Sequence, residues 1–428
     1  MPTQEAMPDW AQWLRAGDRI VCSHMTAEPV ALLRSLAASQ LHQGHFDLHL
    51  GVPYSMAAAD FGPAASLTTF GGMGTAGALA KARAVQVSMN HYSQYDAAFA
   101  SGAAPVDVAL LSLARAPDGT LHLGAAHGGA LAAARRARCV IAEVNAQAPV
   151  VFGAPWPSDV PICHLTETDY ALPEPPAGRA GEAERQIAAR VAPLVEEGAC
   201  LQVGIGALPS AVLEGLAQHR GLGLHSGMLT PALWTLIQTG AIDNSRKPLD
   251  AGTSVAGIVY GDAALYRAVH LNAAVHLREP GYTHAAAVLA QLPRFTAINS
   301  ALEVDLLGQM NAETVLASDG RRRQVGGVGG LNDFVRGAQL ASGGRCIVAL
   351  PARQAARNGE AGASRIVATL NGPATVAASD ADIVATEHGV AHLRGASLEQ
   401  RAQRLIAVAH PEDRDALREA ARRSGQWP

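Results

Sequence analysis

The sequence predicts an α/β protein of two tandem open α/β domains with mainly parallel sheets. Short apolar runs alternate with Ala-rich helical stretches along the 428 residues, the pattern of βαβ units. Aromatic residues are only 4% of the chain although 49% is hydrophobic, so the core is built from small and aliphatic side chains that allow close helix–sheet packing. The alternation also stops at a Pro- and Gly-rich stretch and then begins again, and at roughly 100–200 residues per domain the length suits that division.

In the first half, DRIVCSH (18–24), FDLHL (46–50), AVQVSM (84–89), VDVALLSL (106–113) and RCVIAEVN (138–145) are strand candidates. Their apolar and β-branched residues form runs too short for helices. Residues 28–40 and the segment GGALAAARRA are helical in pattern. TETDYALPEPPAGRAG (166–181) reads as a linker, which sets domains at 1–178 and 179–428. Beyond it, 182–197 is helical, ACLQVGIG (199–206) is a strand and LPSAVLEGLA (208–217) a helix. Further strands are expected at 221–227, 273–277, 295–300, 345–350 and 381–387, and two amphipathic helices flank Pro411.

The balance of 33 Lys and Arg against 37 Asp and Glu provides no electrostatic basis for binding nucleic acid or an anionic membrane. Cys22, Cys139, Cys163, Cys200 and Cys346 are scattered and form no CxxC pair, which argues against a disulfide framework or a cysteine zinc site. The sixteen histidines show no HExxH spacing, so no metal is expected. The first residues lack the basic and apolar regions of a secretory signal, and no apolar run approaches the roughly 20 residues of a membrane span. A cytoplasmic location is the expectation.

Four segments have the residue types that chemistry needs. Gly204-Ile205-Gly206-Ala207-Leu208 follows a strand and opens a helix, where glycines admit close approach and helix-start amides face an anion or oxyanion. A dinucleotide site is the rival, but Pro209 stands where the third glycine belongs and the next strand ends in His225-Ser226-Gly227 without a carboxylate. If those two strands are parallel neighbours, their carboxyl ends border one crevice; otherwise His225–Gly227 is a tight turn with a capping serine. Gly326, Gly327, Gly329 and Gly330 follow the basic run Arg321–Arg323, as a ligand-approaching loop or a flexible surface loop. Glu303 and Asp305 after a strand, and Glu387-His388, supply an acid, a base or a nucleophile, or merely cap turns and pair with arginines. Gly252–Ala256 lacks the second glycine of a nucleophile elbow and reads as core or turn.

Together these segments resemble the acetyl-CoA hydrolase / 4-hydroxybutyrate CoA-transferase family, of class I CoA-transferase type. The resemblance rests on PVDVALLSL, ARCVIAEVN, VGIGALPSAVL, LGLHS, INSALEVDLLGQMNAE, GGVGGLNDFVRGA, and SRIVATL through VATEHGVAHLRG to LIAVAHPEDR, in that order over nearly the whole chain. It implies two CoA-transferase-like domains, 1–178 and 179–428, with an interdomain cleft, a homo-oligomer, and coenzyme A present as an acyl-CoA substrate, with no permanently bound cofactor. It further implies a glutamate that attacks the thioester, giving an acyl–glutamyl anhydride and then a glutamyl-CoA thioester that an incoming carboxylate takes over. By the same resemblance, Gly204 to Leu208 hold the CoA and the oxyanion, with Leu302 and Gly326–Gly330 along the CoA.

The sequence departs from the family where that glutamate belongs: the strand-end motif H-[ST]-E-M is His225-Ser226-Gly227-Met228. Gln94 in HYSQ, where Glu is usual, is a lesser departure, as is LSLARAPDGTLHLG. Three readings follow. The protein is a CoA-transferase for a short-chain acyl-CoA and a carboxylate (acetate, butyrate, 4-hydroxybutyrate or a dicarboxylate), with Glu303 as nucleophile and Glu387 second. Alternatively it is an acyl-CoA thioesterase in which water enters beside Gly227 and His225 is the nearest base, or a catalytically silent CoA-binding relative. Met25, Tyr54 and His91 are candidates for an acyl pocket or for ordinary packing.

Overall fold

The structure, a computed structural model, describes residues 6–39, 45–82, 84–176, 178–317, 320–355 and 362–423. In chain order the first strands are β1 (Arg19–Cys22), β2 (Asp47–Gly51), β3 (Ser66–Thr69), β4 (Val85–Val87), β5 (Val108–Arg115), β6 (Leu121–His122), β7 (Cys139–Asn145) and β8 (His164–Thr168). Then come β9 (Cys200–Val203), β10 (Gly223–Leu229), β11 (Ser254–Val259), β12 (Val275–Leu277), β13 (Thr296–Asn299), β14 (Glu303–Asp305) and β15 (Met310–Asn311). The last are β16 (Thr314–Leu316), β17 (Arg322–Gln324), β18 (Arg345–Ala349), β19 (Ile366–Val367), β20 (Ile383–Thr386) and β21 (Gly389–His392).

The chain forms two compact α/β units that are not consecutive stretches. One holds residues 1–176, 227–231 and 253–283; the other holds 177–226, 232–252 and 284–428. The chain therefore passes from one unit to the other inside β10, between Ser226 and Gly227. A single cut at 178/179 does not describe this, because β11 and β12 lie in the first unit.

In the first unit the sheet runs β4-β3-β2-β1-β5-β7-β8, parallel along this path, with β6 antiparallel on β5. Ile20, Leu48, Leu67, Leu110 and Ile141 are buried beneath the helix Val30–Ala38, whose Leu32, Leu33 and Leu36 are fully buried. Each such side chain contributes about 1.5–3 kcal/mol relative to exposure. The helix ends near the expected place, and Gln40 lies outside the described residues. Along this parallel path, two strands were not expected. The polar run SLTT forms β3, and HLTET forms β8, overlapping the start of what reads as linker and pairing Ile141 with His164. As the last strand of its sheet, β8 is only half-buried, which tolerates the Thr and Glu residues that hide it in the sequence. Residues 252–256 are partly turn and partly strand: Gly252 has φ +73° and β11 begins at Ser254, buried throughout.

In the second unit β10, β9, β13, β18 and β20 pair in that order, all parallel, and β21 closes the order antiparallel to β20. Helices Glu182–Val191, Leu331–Leu340 and Leu398–Val408 belong to this unit; the last begins with a capping box of Ser397 and Gln400. Phe295, Val304, Phe334, Val348, Val384 and Leu405 share its core. β14 lies between β15 and β19 in a small separate sheet. No helix among the described residues is long and apolar enough to cross a membrane.

Candidate functional site

In the second unit the pairing expected of the two glycine-bearing strands is found: β9 and β10 are parallel, with Gly223 opposite Cys200 and Leu224 opposite Leu201. Both carboxyl ends thus point the same way. After β9, Gly204 donates its N–H to Ile298 O at 2.8 Å, and a Cβ there would stand 3.0 Å from Asn299 Oδ1. Asn299 is held by a reciprocal amide pair with Gln202, at 3.2 and 2.8 Å, so the wall behind the turn is fixed. Gly206 has φ +117°, a conformation open to glycine, and directly precedes the helix Ala207–Glu214 without any side-chain cap. Pro209 brings no N–H to the first turn. Backbone amides of the turn and helix start are the groups this segment offers an anion.

His225 and Ser226 at the end of this unit's part of β10 are completely buried. His284, also buried, has its pKa pushed down to about 3 by burial and then by nearby His225. The glycine-rich loop meets the same histidine. A Cβ on Gly330 would come within 2.4 Å of the His284 ring, whose centroid lies 4.4 Å from that of Phe334, tilted by 42°, in the helix that Gly330 begins. Gly326 is pressed on Ala312, where a Cβ would stand 2.3 Å from the carbonyl oxygen, while Gly329 has φ +54°. Gly327 lies between them. These glycines are therefore required by close backbone and ring approach, at least at Gly326 and Gly330.

The nominated carboxylates are differently placed. Glu303, on β14, is buried. Its Oε1 accepts from Asn311 Nδ2 at 2.8 Å and from the Asn371 N–H at 2.9 Å, and its Oε2 from Asn371 Nδ2 at 2.9 Å. As an attacking group it would first shed bonds worth about 1.5–3 kcal/mol each. This geometry is that of a carboxylate holding a loop, so the side chain nominated from sequence as the nucleophile is already engaged by Asn311 and Asn371. Its neighbour Leu302 donates N–H to Asn311 O at 2.8 Å. Glu387 accepts the single Ala352 N–H at 3.2 and 2.9 Å, and its Oε1 lies 3.6 Å from His388 Nε2. Asp305 accepts from Leu307 N, Gln309 N and Gln309 Nε2 and closes its own turn.

In the first unit Gly227 and Met228 begin the segment that runs beside β11, where the Tyr260 N–H donates to Leu229 O at 2.8 Å. Met228, Tyr54 and Tyr260 pack against one buried cluster that includes Met25, and the two tyrosine hydroxyls are hydrogen-bonded at 2.6 Å. Met25 and Tyr54 thus share a cluster with the residue that follows Gly227. Gln94, the other departure, caps its turn by accepting the His91 N–H at 3.1 Å.

Beneath this segment lies Gly257. A Cβ on it would stand 3.1 Å from Gly227 O, 3.6 Å from Thr283 Oγ1 and 3.9 Å from Arg278 O. Gly257 O accepts the His127 N–H at 3.0 Å. The buried His127 ring has its pKa pushed down to about 4, chiefly by burial, and its Nε2 lies 3.9 Å from Glu279 Oε2. That distance is a contact without a hydrogen bond. Glu279 is half exposed at 49%. Asp96 accepts the Gly281 N–H at 2.7 Å, and burial together with neighbouring Glu279 pushes its pKa up to about 6. The sequence reading missed His127, Asp96 and Glu279. Glu279 lies two residues beyond β12, a strand-end position, but its approach to His127 comes from pairing distant in sequence.

Two α/β units with parallel sheets and a glycine turn after an interior strand define the CoA-transferase class of fold. Residues 261–421 match the acetyl-CoA hydrolase/transferase C-terminal domain. The chain is 37% identical over 317 residues to the 4-hydroxybutyrate coenzyme A transferase of Clostridium kluyveri, covering 73% of this chain and 72% of that one. It is 30% identical to a succinyl-CoA:acetate/propanoyl-CoA:succinate CoA transferase of Fasciola hepatica, over 98% and 89%. The crystal structure of RipA from Yersinia pestis superposes with a TM-score of 0.87 at 30% identity, over 96% and 95%. The chain belongs to the class I CoA-transferase / acetyl-CoA hydrolase family, whose members are enzymes that handle CoA thioesters.

Proposed function

We propose that this protein is a CoA-transferase that moves CoA between a short-chain acyl-CoA and a carboxylate of the acetate, butyrate, 4-hydroxybutyrate or dicarboxylate class. The observation that carries this is the parallel β9–β10 pair, which ends the glycine turn and the His225-Ser226 strand in one direction. In this reading the amides of Gly204–Leu208 receive the thioester oxygen as it gains charge, and Leu302 and the loop Gly326–Gly330 flank the CoA. Glu303 keeps the Asn371 segment in place and does not attack. In the first unit, Met228, Met25, Tyr54 and Tyr260 belong to one apolar cluster. CoA comes and goes as substrate, and the protein works as a homo-oligomer in the cytoplasm.

The test is to incubate the protein with one acyl-CoA and a panel of carboxylates and identify new thioesters by mass. A new acyl-CoA matching an added carboxylate is expected. Free CoA formed at the same rate with and without carboxylate would mean hydrolysis, and no turnover despite CoA binding would mean a silent relative.

A further inference from the structure

We propose that Glu279 is the acyl-accepting carboxylate of this enzyme, reaching from the end of β12 the place where Gly227 offers no side chain. The inference rests on the CoA-transferase reading and goes beyond it by naming the group that becomes acylated. It is confined to the first unit, where all the residues concerned lie.

Gly257 fixes the geometry. The same point beside its Cα is 3.1 Å from Gly227 O and 3.9 Å from Arg278 O, and Arg278 immediately precedes Glu279. Parallel pairing of β11 with β12 sets Ala256 opposite Leu277, so the chain leaving β12 passes alongside Gly257. Glu279 therefore follows a residue whose carbonyl oxygen lines the same point beside Gly257 as Gly227 O does. The glycine at 257 keeps that gap narrow.

The surroundings of Glu279 suit a nucleophile. Half its side chain is exposed, in contrast to the buried, hydrogen-bonded Glu303 and the less exposed Glu387. One of its oxygens faces His127, which is 5% exposed and whose Nδ1 has no hydrogen-bond partner. The imidazole is held by its backbone bond to Gly257. Burial keeps that ring neutral near pH 7, so it lies beside Glu279 without adding a positive charge. Asp96, whose own pKa is raised, is the second carboxyl group nearby and is tethered to Gly281 N–H.

The chemistry balances without any further reagent. A Glu279 oxygen bonds to the thioester carbonyl carbon, the C–S bond breaks, and the electron pair leaves on sulfur as CoA thiolate. The thiolate then attacks the glutamyl carbonyl of the anhydride and expels the first carboxylate. The acceptor carboxylate attacks the resulting glutamyl-CoA thioester, and the thiolate finally attacks the acceptor's carbonyl, restoring Glu279.

The experiment traps the thioester. The full-length protein is mixed with acetyl-CoA, treated with borohydride, digested and mapped by mass. Glu279 should be recovered as the alcohol, one oxygen lighter and two hydrogens heavier. Glu279→Gln should leave the melting temperature unchanged and lower transfer by about three orders of magnitude. Adding Gly227→Glu to that variant should restore transfer, a gain that a merely structural role for Glu279 would not produce. A label on Glu303, Glu387 or any other residue, or a Glu279→Gln protein with normal transfer, overturns the assignment and leaves the transferase reading standing. Absence of transfer by the unaltered protein with every acyl-CoA and carboxylate tried overturns both.

Discussion

The backbone N–H of His127 donates to the carbonyl oxygen of Gly257 at 3.0 Å, tying the loop before an N-terminal helix to a strand far along the chain. Through that bond a neutral imidazole stands beside Glu279, and Gly257 stands against Gly227. The position with no side chain and a solvent-facing carboxylate are thereby neighbours across one glycine.

Gly330→Ala tests the contact between the glycine loop and His284. The added methyl would fall within 2.4 Å of a buried ring. Overpacking of this kind costs about 1–3 kcal/mol. Urea denaturation should report that loss, and calorimetry should show weaker CoA binding than in the unaltered protein.

Gly206→Ala tests the turn itself. At φ +117° an alanine is strained although the space around its Cβ is open, with Pro209 Cδ at 3.9 Å. The expected cost is about 1–3 kcal/mol. If the turn holds the oxyanion, kcat should fall as well; a stable variant with normal kcat would contradict that role.

Glu303→Ala separates holding from attacking. It leaves Asn371 N–H, Asn371 Nδ2 and Asn311 Nδ2 without the acceptor shown here. Stability should drop by about 3 kcal/mol, while borohydride labelling of the folded fraction persists. Loss of labelling at full stability would reinstate Glu303 as the nucleophile.

Acid should destabilise the first unit through its buried histidines. His24 and His49 both have pKa values pushed down to about 4, chiefly by burial. Between the ordinary histidine value near 6.5 and about 4 the unfolded chain binds protons that the folded one does not, so stability falls as pH falls through that window. His49, ringed by Phe70, Tyr95 and Phe99, has an Nε2 with no hydrogen-bond partner. His49→Leu should therefore flatten the pH dependence of the denaturation midpoint between pH 4 and 6.5. An unchanged slope would show that His49 does not contribute.

Strands buried on both faces were legible in the sequence: VALLSL in β5 and CVIAEV in β7 are nearly continuous apolar runs with turn formers at their ends. The polar strand β3 and the edge strand β8 were not, because half-buried strands tolerate Ser, Thr and Glu and lose the apolar signature. The glycine turn after β9 was legible from Gly204 and Gly206 together with the apolar run before them and the helical stretch after them. Glu303 attracted attention because it follows a strand, yet its hydrogen bonds come from Asn311 and the distant Asn371, a pairing that no local pattern encodes. Glu279 escaped for the same reason in reverse, since what sets it apart is His127, brought there by loop-to-strand pairing.

Oxygen tracing tests CoA transfer most directly. With acetyl-CoA as donor and an ¹⁸O-labelled carboxylate as acceptor, passage through an enzyme carboxylate leaves an acceptor oxygen on the protein, and the next turnover releases it in acetate. Labelled acetate from the labelled acceptor, and none from ¹⁸O water, is the predicted result. Acetate that takes its label from water alone would contradict it and identify a hydrolase.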